Sequence, residues 1–211
     1  MLHEDGRLLD DGVTFRLGEN HYLLSAGSGT ADAVYAHMVR LLKVVWPNLR
    51  VYVTTVTSQW ANICVCGPKA REVLASTGID INLDANAFPF MSMREGQVAG
   101  KFARVARVSY TGELSFEVNV RRRDGLSVWE ALIHAGAAFG ITPVGSETSG
   151  VLRIEKGYIS AGAEGDGNTN PFDAGMSWVV NMNKPDFVGK RSLVRDQSVG
   201  GARQQVVGLL P

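Results

Sequence analysis

The stretch Tyr110-Thr111-Gly112-Glu113-Leu114-Ser115-Phe116-Glu117-Val118-Asn119 decides the fold class. From Leu114 to Val120, apolar and polar residues alternate without a break. That is the two-residue period of a strand with one face against a core. Leu114, Phe116, Val118 and Val120 form the apolar face, while Glu113, Ser115, Glu117 and Asn119 form the polar one. A second β-rich run covers 105–110, and Thr111-Gly112 between the two is a hairpin signal. An antiparallel pair is therefore expected here.

Working outward, strands are predicted over 13–17 and 22–25, with Gly18-Glu19-Asn20 as their turn. A helix follows, capped by Ser28 or Thr30. Its apolar stripe is Val34, Met38, Leu41, Leu42 and Val45, and Pro47 stops it. Residues 51–56 and 63–65 read as β-branched strands. A short helix covers 70–74 with Gly78 beyond it, and 82–94 reads as irregular. Asp124 is the expected cap of a helix that buries Val128, Trp129, Leu132, Ile133 and Phe139 and ends at Gly140. Ser146 opens another helix that Gly157 closes. A polar loop covers 162–171, and a last helix lies near 189–195. The apolar end from Val206 reads as a strand. Helices and hairpins are mixed without βαβ alternation, so the predicted class is α+β, with helices packed on antiparallel sheets.

Composition narrows function. The 211 residues carry 21 Lys+Arg and 21 Asp+Glu, and 45% are apolar. A nucleic-acid partner normally demands a basic excess, and disorder demands low hydrophobicity with high charge. No apolar run approaches the length of a membrane helix, and the first residues lack the pattern of a signal peptide. A cytoplasmic protein without nucleic-acid or membrane partners is expected. Cys64 and Cys66 are read as free, buried thiols turned to opposite faces of a strand. The ends suggest a piece of a larger polypeptide, divided at 1–205 and 206–211, with a truncated barrel-like domain starting at the second boundary.

Several local patterns fail as sites. Gly27-Ser28-Gly29 sits between a strand and a helix like a dinucleotide fingerprint, but Asp32 stands at the third glycine position. Gly189-Lys190-Arg191 lacks the rest of a phosphate loop. His3, His21, His37 and His134 build no triad, and no cluster has metal spacing. Asp10-Asp11-Gly12 remains. Two adjacent carboxylates repel when both are buried, so one should face solvent. A solvated turn and a site carboxylate both explain it. The polar face at Glu113, Ser115, Glu117 and Asn119 is equally a solvated edge or a ligand face. Carboxylates there would suit a partner with adjacent N–H donors, such as a guanidine or an aminopyrimidinone.

The segments Asp10-Asp11-Gly12, Tyr110-Thr111-Gly112-Glu113 with Glu117, Leu152-Arg153-x-Glu155-x-Gly157, Pro171-x-Asp173 and Lys184-x-Asp186-Phe187-x-Gly189-Lys190-Arg191 occur in that order. Together they resemble the tetrahydrofolate-dependent aminomethyltransferase family of the glycine cleavage T-protein, over nearly the whole chain. Trp46-Pro47, Phe88-Pro89-Phe90-Met91 and Arg153-Ile154-Glu155-Lys156-Gly157 look most like one branch, the C-terminal region of the alpha subunit of heterotetrameric sarcosine oxidase.

The resemblance implies a folate-binding α+β fold. It implies Asp11 as the catalytic carboxylate near the reactive folate nitrogens, Tyr22 as a ring near the folate, and Glu117 as the holder of the pterin. Tyr110 and Glu113 are implied as further contacts. It implies tetrahydrofolate as cofactor, with FAD, FMN and NAD elsewhere in a complex, and the remaining sarcosine oxidase subunits and the rest of the alpha subunit as partners. The family has an Arg that helps bind folate at the position of Ser149 here. Three functions follow as expectations. The first is the folate portion of a sarcosine oxidase, inactive alone. The second is a glycine-cleavage-type aminomethyltransferase or a dimethylglycine-oxidising relative. The third is a non-catalytic structural domain.

Overall fold

A computed structural model describes residues 1–198 and 203–209. In chain order it contains strands β1 (Thr14–Gly18) and β2 (His21–Leu24), helix α1 (Ala31–Arg40), strand β3 (Trp60–Cys66), helix α2 (Ala70–Ala75), strands β4 (Ser92–Val98), β5 (Lys101–Arg107) and β6 (Ser115–Arg121), and helices α3 (Gly125–Gly136), α4 (Ser146–Glu155) and α5 (Lys190–Ser198). Both sheets are antiparallel, and the class is α+β. The chain forms two compact units, one from Met1–Thr55 with Ile159–Pro211 and one from Val56–Tyr158. Among the described residues, no helix is long and apolar enough to cross a membrane.

The Val56–Tyr158 unit is built on the alternation of β6. Its sheet runs in the order β3-β6-β5-β4. Phe116, Val118 and Val120 are fully buried against Ile63 and Val65 of β3 and Ala103 and Val105 of β5. Val73 and Leu74 of α2, Val128 and Leu132 of α3, and Phe88 complete the same cluster. The Phe88 and Phe116 rings lie 5.7 Å apart, tilted at 58°. Each large side chain so buried contributes about 1.5–3 kcal/mol, so this face of the sheet dominates the unit's stability.

Three expectations change here. β5 and β6 do pair, Val105 opposite Val118, but seven residues separate them rather than a two-residue turn. The tight hairpin joins β4 to β5. Val98 pairs with Lys101 across Ala99 and Gly100, whose φ values of 50° and 71° are the left-handed pair this turn demands. β4 itself is missed by the sequence pattern, because Ser-Met-Arg-Glu-Gly-Gln-Val has a single β-branched residue. Pairing with β5 along its whole length makes it a strand. The cysteine expectation is also wrong. Residues two apart on a strand share a face, and Cys64 and Cys66 both lie on the face opposite buried Val65. Cys64 is exposed and Cys66 half-buried.

In the other unit, β1 and β2 form a hairpin from Thr14 opposite Leu24 to Gly18 opposite His21. α1 buries Val34 and ends in a π-helical turn, Leu41–Val45, that buries Leu41. Residues 51–56 form no strand, and Tyr52 is 93% exposed. β-branched residues favour extended backbone, but a strand also requires a ladder partner. The terminal strand is not formed either. Residues 203–209 have no regular structure, and the Val206 N–H donates to the Asp173 carbonyl at 2.9 Å. Leu210 and Pro211 lie outside the described residues. Of the expected caps, Thr30 and Asp124 occupy N-cap positions without capping through their side chains, and Gly145 takes the position before Ser146.

Candidate functional site

The Asp10-Asp11-Gly12 turn divides its two carboxylates sharply. Asp10 is 3% exposed. Its carboxylate accepts hydrogen bonds from the Gly12 N–H at 2.8 Å, the Gly27 N–H at 2.9 Å and the Thr30 hydroxyl. A buried carboxylate needs this many donors to offset its lost hydration. The glycine-rich entry to α1 is thereby engaged by the chain's own carboxylate. A Cβ on Gly12 would lie 1.9 Å from the Ser25 carbonyl oxygen, so only glycine passes there. With both neighbours held, Asp11 is left exposed, and its Oδ2 accepts the Ala161 N–H at 3.4 Å. The turn lines a 540 Å³ cavity whose walls are mostly apolar, including Trp46, Met176 and Phe187. His37 also lines it. Burial holds its imidazole below the usual range, aided by His3 and Arg40 and opposed by Glu4. Tyr22 of β2 belongs to the same unit and is exposed.

The second assembly is the face of the four-stranded sheet opposite the apolar cluster. Directly opposed residues place Cys64, Glu117, Ala106 and Met93 in one row across it, and Asn62, Asn119, Arg104 and Glu95 in the next. The Asn62 carboxamide donates to Glu117 Oε2 at 3.0 Å and to Asn119 Oδ1 at 3.0 Å. Cys64 Sγ lies 3.3 Å from the Ser115 hydroxyl. Although Cys64 keeps exposed surface, burial about its sulfur pushes the thiol up to about 11, so it is neutral at pH 7. Arg104 stacks 4.7 Å from the Trp60 ring centre and pairs with Glu95 at 2.8 Å. This face presents a half-buried carboxylate among carboxamides, the acceptor pattern for a planar edge rich in N–H groups.

The weaker sequence candidates fall elsewhere in the Val56–Tyr158 unit. Tyr110 is exposed in the loop between β5 and β6. Glu113 is in the same loop rather than on the strand, and its carboxylate pairs with Lys156 at 3.0 Å. Arg153 of α4 is buried and donates to the Tyr158 carbonyl at 2.9 Å. Asn62 escaped sequence reading because only the β3–β6 register brings it to Glu117. Among the described residues, no group of three His, Cys, Asp or Glu side chains could hold a metal ion.

Residues 1–184 match the GCVT N-terminal domain family. The chain belongs to that family. This GCVT domain is 43% identical, over its whole length, to sarcosine oxidase subunit alpha of Corynebacterium sp. strain U-96, and covers 22% of that subunit. It is 34% identical to the aminomethyltransferase of Chloroherpeton thalassium over 92% of the chain, covering 52% of that protein. It superposes on glycine cleavage system aminomethyltransferase T from Bartonella henselae with a TM-score of 0.79 and 27% identity, covering 95% of the chain and 52% of that structure. The chain thus spans about a fifth of its sarcosine oxidase relatives and about half of its aminomethyltransferase relatives.

Proposed function

We propose that this GCVT domain binds tetrahydrofolate in a sarcosine oxidase, where the folate receives the one-carbon unit released when sarcosine is demethylated to glycine. The observation that carries the reading is the half-buried Glu117 carboxylate, with one oxygen already held by Asn62. An aminopyrimidinone edge offers two parallel N–H donors, which a carboxylate accepts side by side. Similarity to sarcosine oxidase alpha subunits over the full chain supports the choice of parent enzyme.

When bound, tetrahydrofolate supplies the amine nitrogens that take up the one-carbon unit as 5,10-methylenetetrahydrofolate. Glu117 orients the pterin. Asp11, exposed and lining its cavity, would take up the proton released at the reacting nitrogen. Tyr22 and Tyr110 offer rings to the ligand, and Glu113 acts through its pair with Lys156. Flavin oxidation, with FAD, FMN and NAD, belongs to other parts of the complex, whose remaining subunits are the partners. The protein works in the cytoplasm. A glycine-cleavage aminomethyltransferase is the second reading, favoured by the 0.79 superposition, and dependence on a lipoylated partner protein distinguishes it.

Calorimetric titration of 5-formyltetrahydrofolate into the intact protein tests the site. Binding should weaken at least tenfold in Glu117→Gln. Asp11→Asn should keep binding and lose turnover. Absence of binding, or binding indifferent to Glu117→Gln, overturns the proposal.

A further inference from the structure

We infer that Asn62 is a positioning residue for Glu117, fixing one carboxylate oxygen so that the other is turned to the donor edge of the ligand. The inference rests on the folate reading of Glu117. In the β3–β6 register, Cys64 lies directly opposite Glu117 and Asn62 directly opposite Asn119, so Asn62 reaches Glu117 along the diagonal. Its two amide hydrogens are both spent, one on Glu117 Oε2 and one on Asn119 Oδ1, each at 3.0 Å. Both partners are acceptors, which settles the orientation of the amide, since its oxygen in that place would face two other oxygens. The Asn119 amide in turn reaches the Glu117 carbonyl at 3.4 Å. Three side chains on two strands thus hold one another, and among the described residues Glu117 Oε1 accepts no hydrogen bond.

This arrangement has one consequence for a ligand. A long, flexible glutamate is held in one orientation before binding, which removes part of the ordering cost of association. The other groups facing Glu117 contribute no net charge. Cys64 of β3 is a neutral thiol, Ala106 of β5 is apolar, and Arg104 of β5 is paired with Glu95 of β4. The helices α2 and α3 pack with the core residues of the opposite face. Asn62 is therefore the side chain that sets the direction of the acceptor.

The test uses the intact protein and 5-formyltetrahydrofolate as the probe. Asn62→Leu should weaken binding about five- to tenfold, the effect of one charge-assisted hydrogen bond, with an unchanged melting temperature because Asn62 is exposed. Asn62→Asp sets a second carboxylate against Glu117, and two such groups retain a shared proton well above the ordinary range. Its binding should fall relative to the parent's as the pH is lowered, a signature that loss of a strand tie would not produce. Asn62→Gln should recover part of the affinity. If both Asn62→Leu and Asn62→Asp bind like the parent while Glu117→Gln does not, Asn62 only ties two strands, and the inference fails with the folate reading intact. If Glu117→Gln also binds like the parent, both fall.

Discussion

The two units of this chain are held together by different physics. The Val56–Tyr158 unit has a continuous apolar cluster from four strands, two helices, Leu83 and Phe88. The unit of Met1–Thr55 and Ile159–Pro211 is fastened at polar clamps. Asp10 gathers Gly12, Gly27 and Thr30. Asp173 takes the Asn170 N–H at 3.0 Å and the Arg203 Nε at 2.7 Å, while Asn170 Oδ1 takes the Phe172 and Asp173 N–H groups. Packing is spread over many contacts and is indifferent to pH. Clamps concentrate stability in a few charged groups, so substitution and acid should strike the units unequally.

The largest effect is expected in the apolar cluster. Phe116→Ala removes a fully buried ring and should cost about 3–5 kcal/mol, seen by denaturant titration as lost amide protection in the Val56–Tyr158 unit. Gly12→Ala should cost about 3 kcal/mol or more, because its Cβ lands on the Ser25 backbone carbonyl and not on a side chain that could yield. Its amide protection losses should fall on β2 and the start of α1. Equal losses in both units would erase the contrast.

Asp173→Asn should cost about 2 kcal/mol by leaving Arg203 without its main partner. It should also remove an acid sensitivity. Burial pushes the Asp173 carboxyl up, but Arg203 and the Asn170 N–H outweigh it and hold the group below its usual range. A depressed carboxyl stabilises the fold above its unfolded pKa of about 3.9, and that stability is lost as pH falls through the folded value. His37 acts in the same direction at higher pH. Its lowered folded pKa means that the unfolded chain takes up the proton first, below about 6.5. Hydrogen exchange from pH 7 down to about 2 should therefore show the clamped unit loosening first, through His37 and then Asp173. The smallest effect is a gain. Ala99→Gly should stabilise by about 0.5–1 kcal/mol, because alanine holds a left-handed φ of 50° there, measurable as a higher melting temperature.

What was legible in the sequence follows from locality. The alternation at Leu114–Val120 announces β6, and Gly140 and Gly157 mark helix ends as read, with φ of 73° and 69°. β4 was not legible because its strand character comes from β5. The segment 51–56 misled because propensity cannot supply a partner. At Asp10-Asp11-Gly12 the sequence signals one buried and one open carboxylate without saying which. The choice falls to Gly27 and Thr30, some twenty residues away.

Chain order and residue type alone therefore determined the class, the family resemblance and the polar face carrying Glu117, since each is written in short-range periodicity and motif order. Only the tertiary structure decided that Asp10 is the clamp and Asp11 the open group, that Glu113 is bound to Lys156, and that Asn62 holds Glu117. Those facts depend on strand register and on contacts between residues far apart in the chain, where hydrogen-bond geometry over a few tenths of an ångström selects the partner.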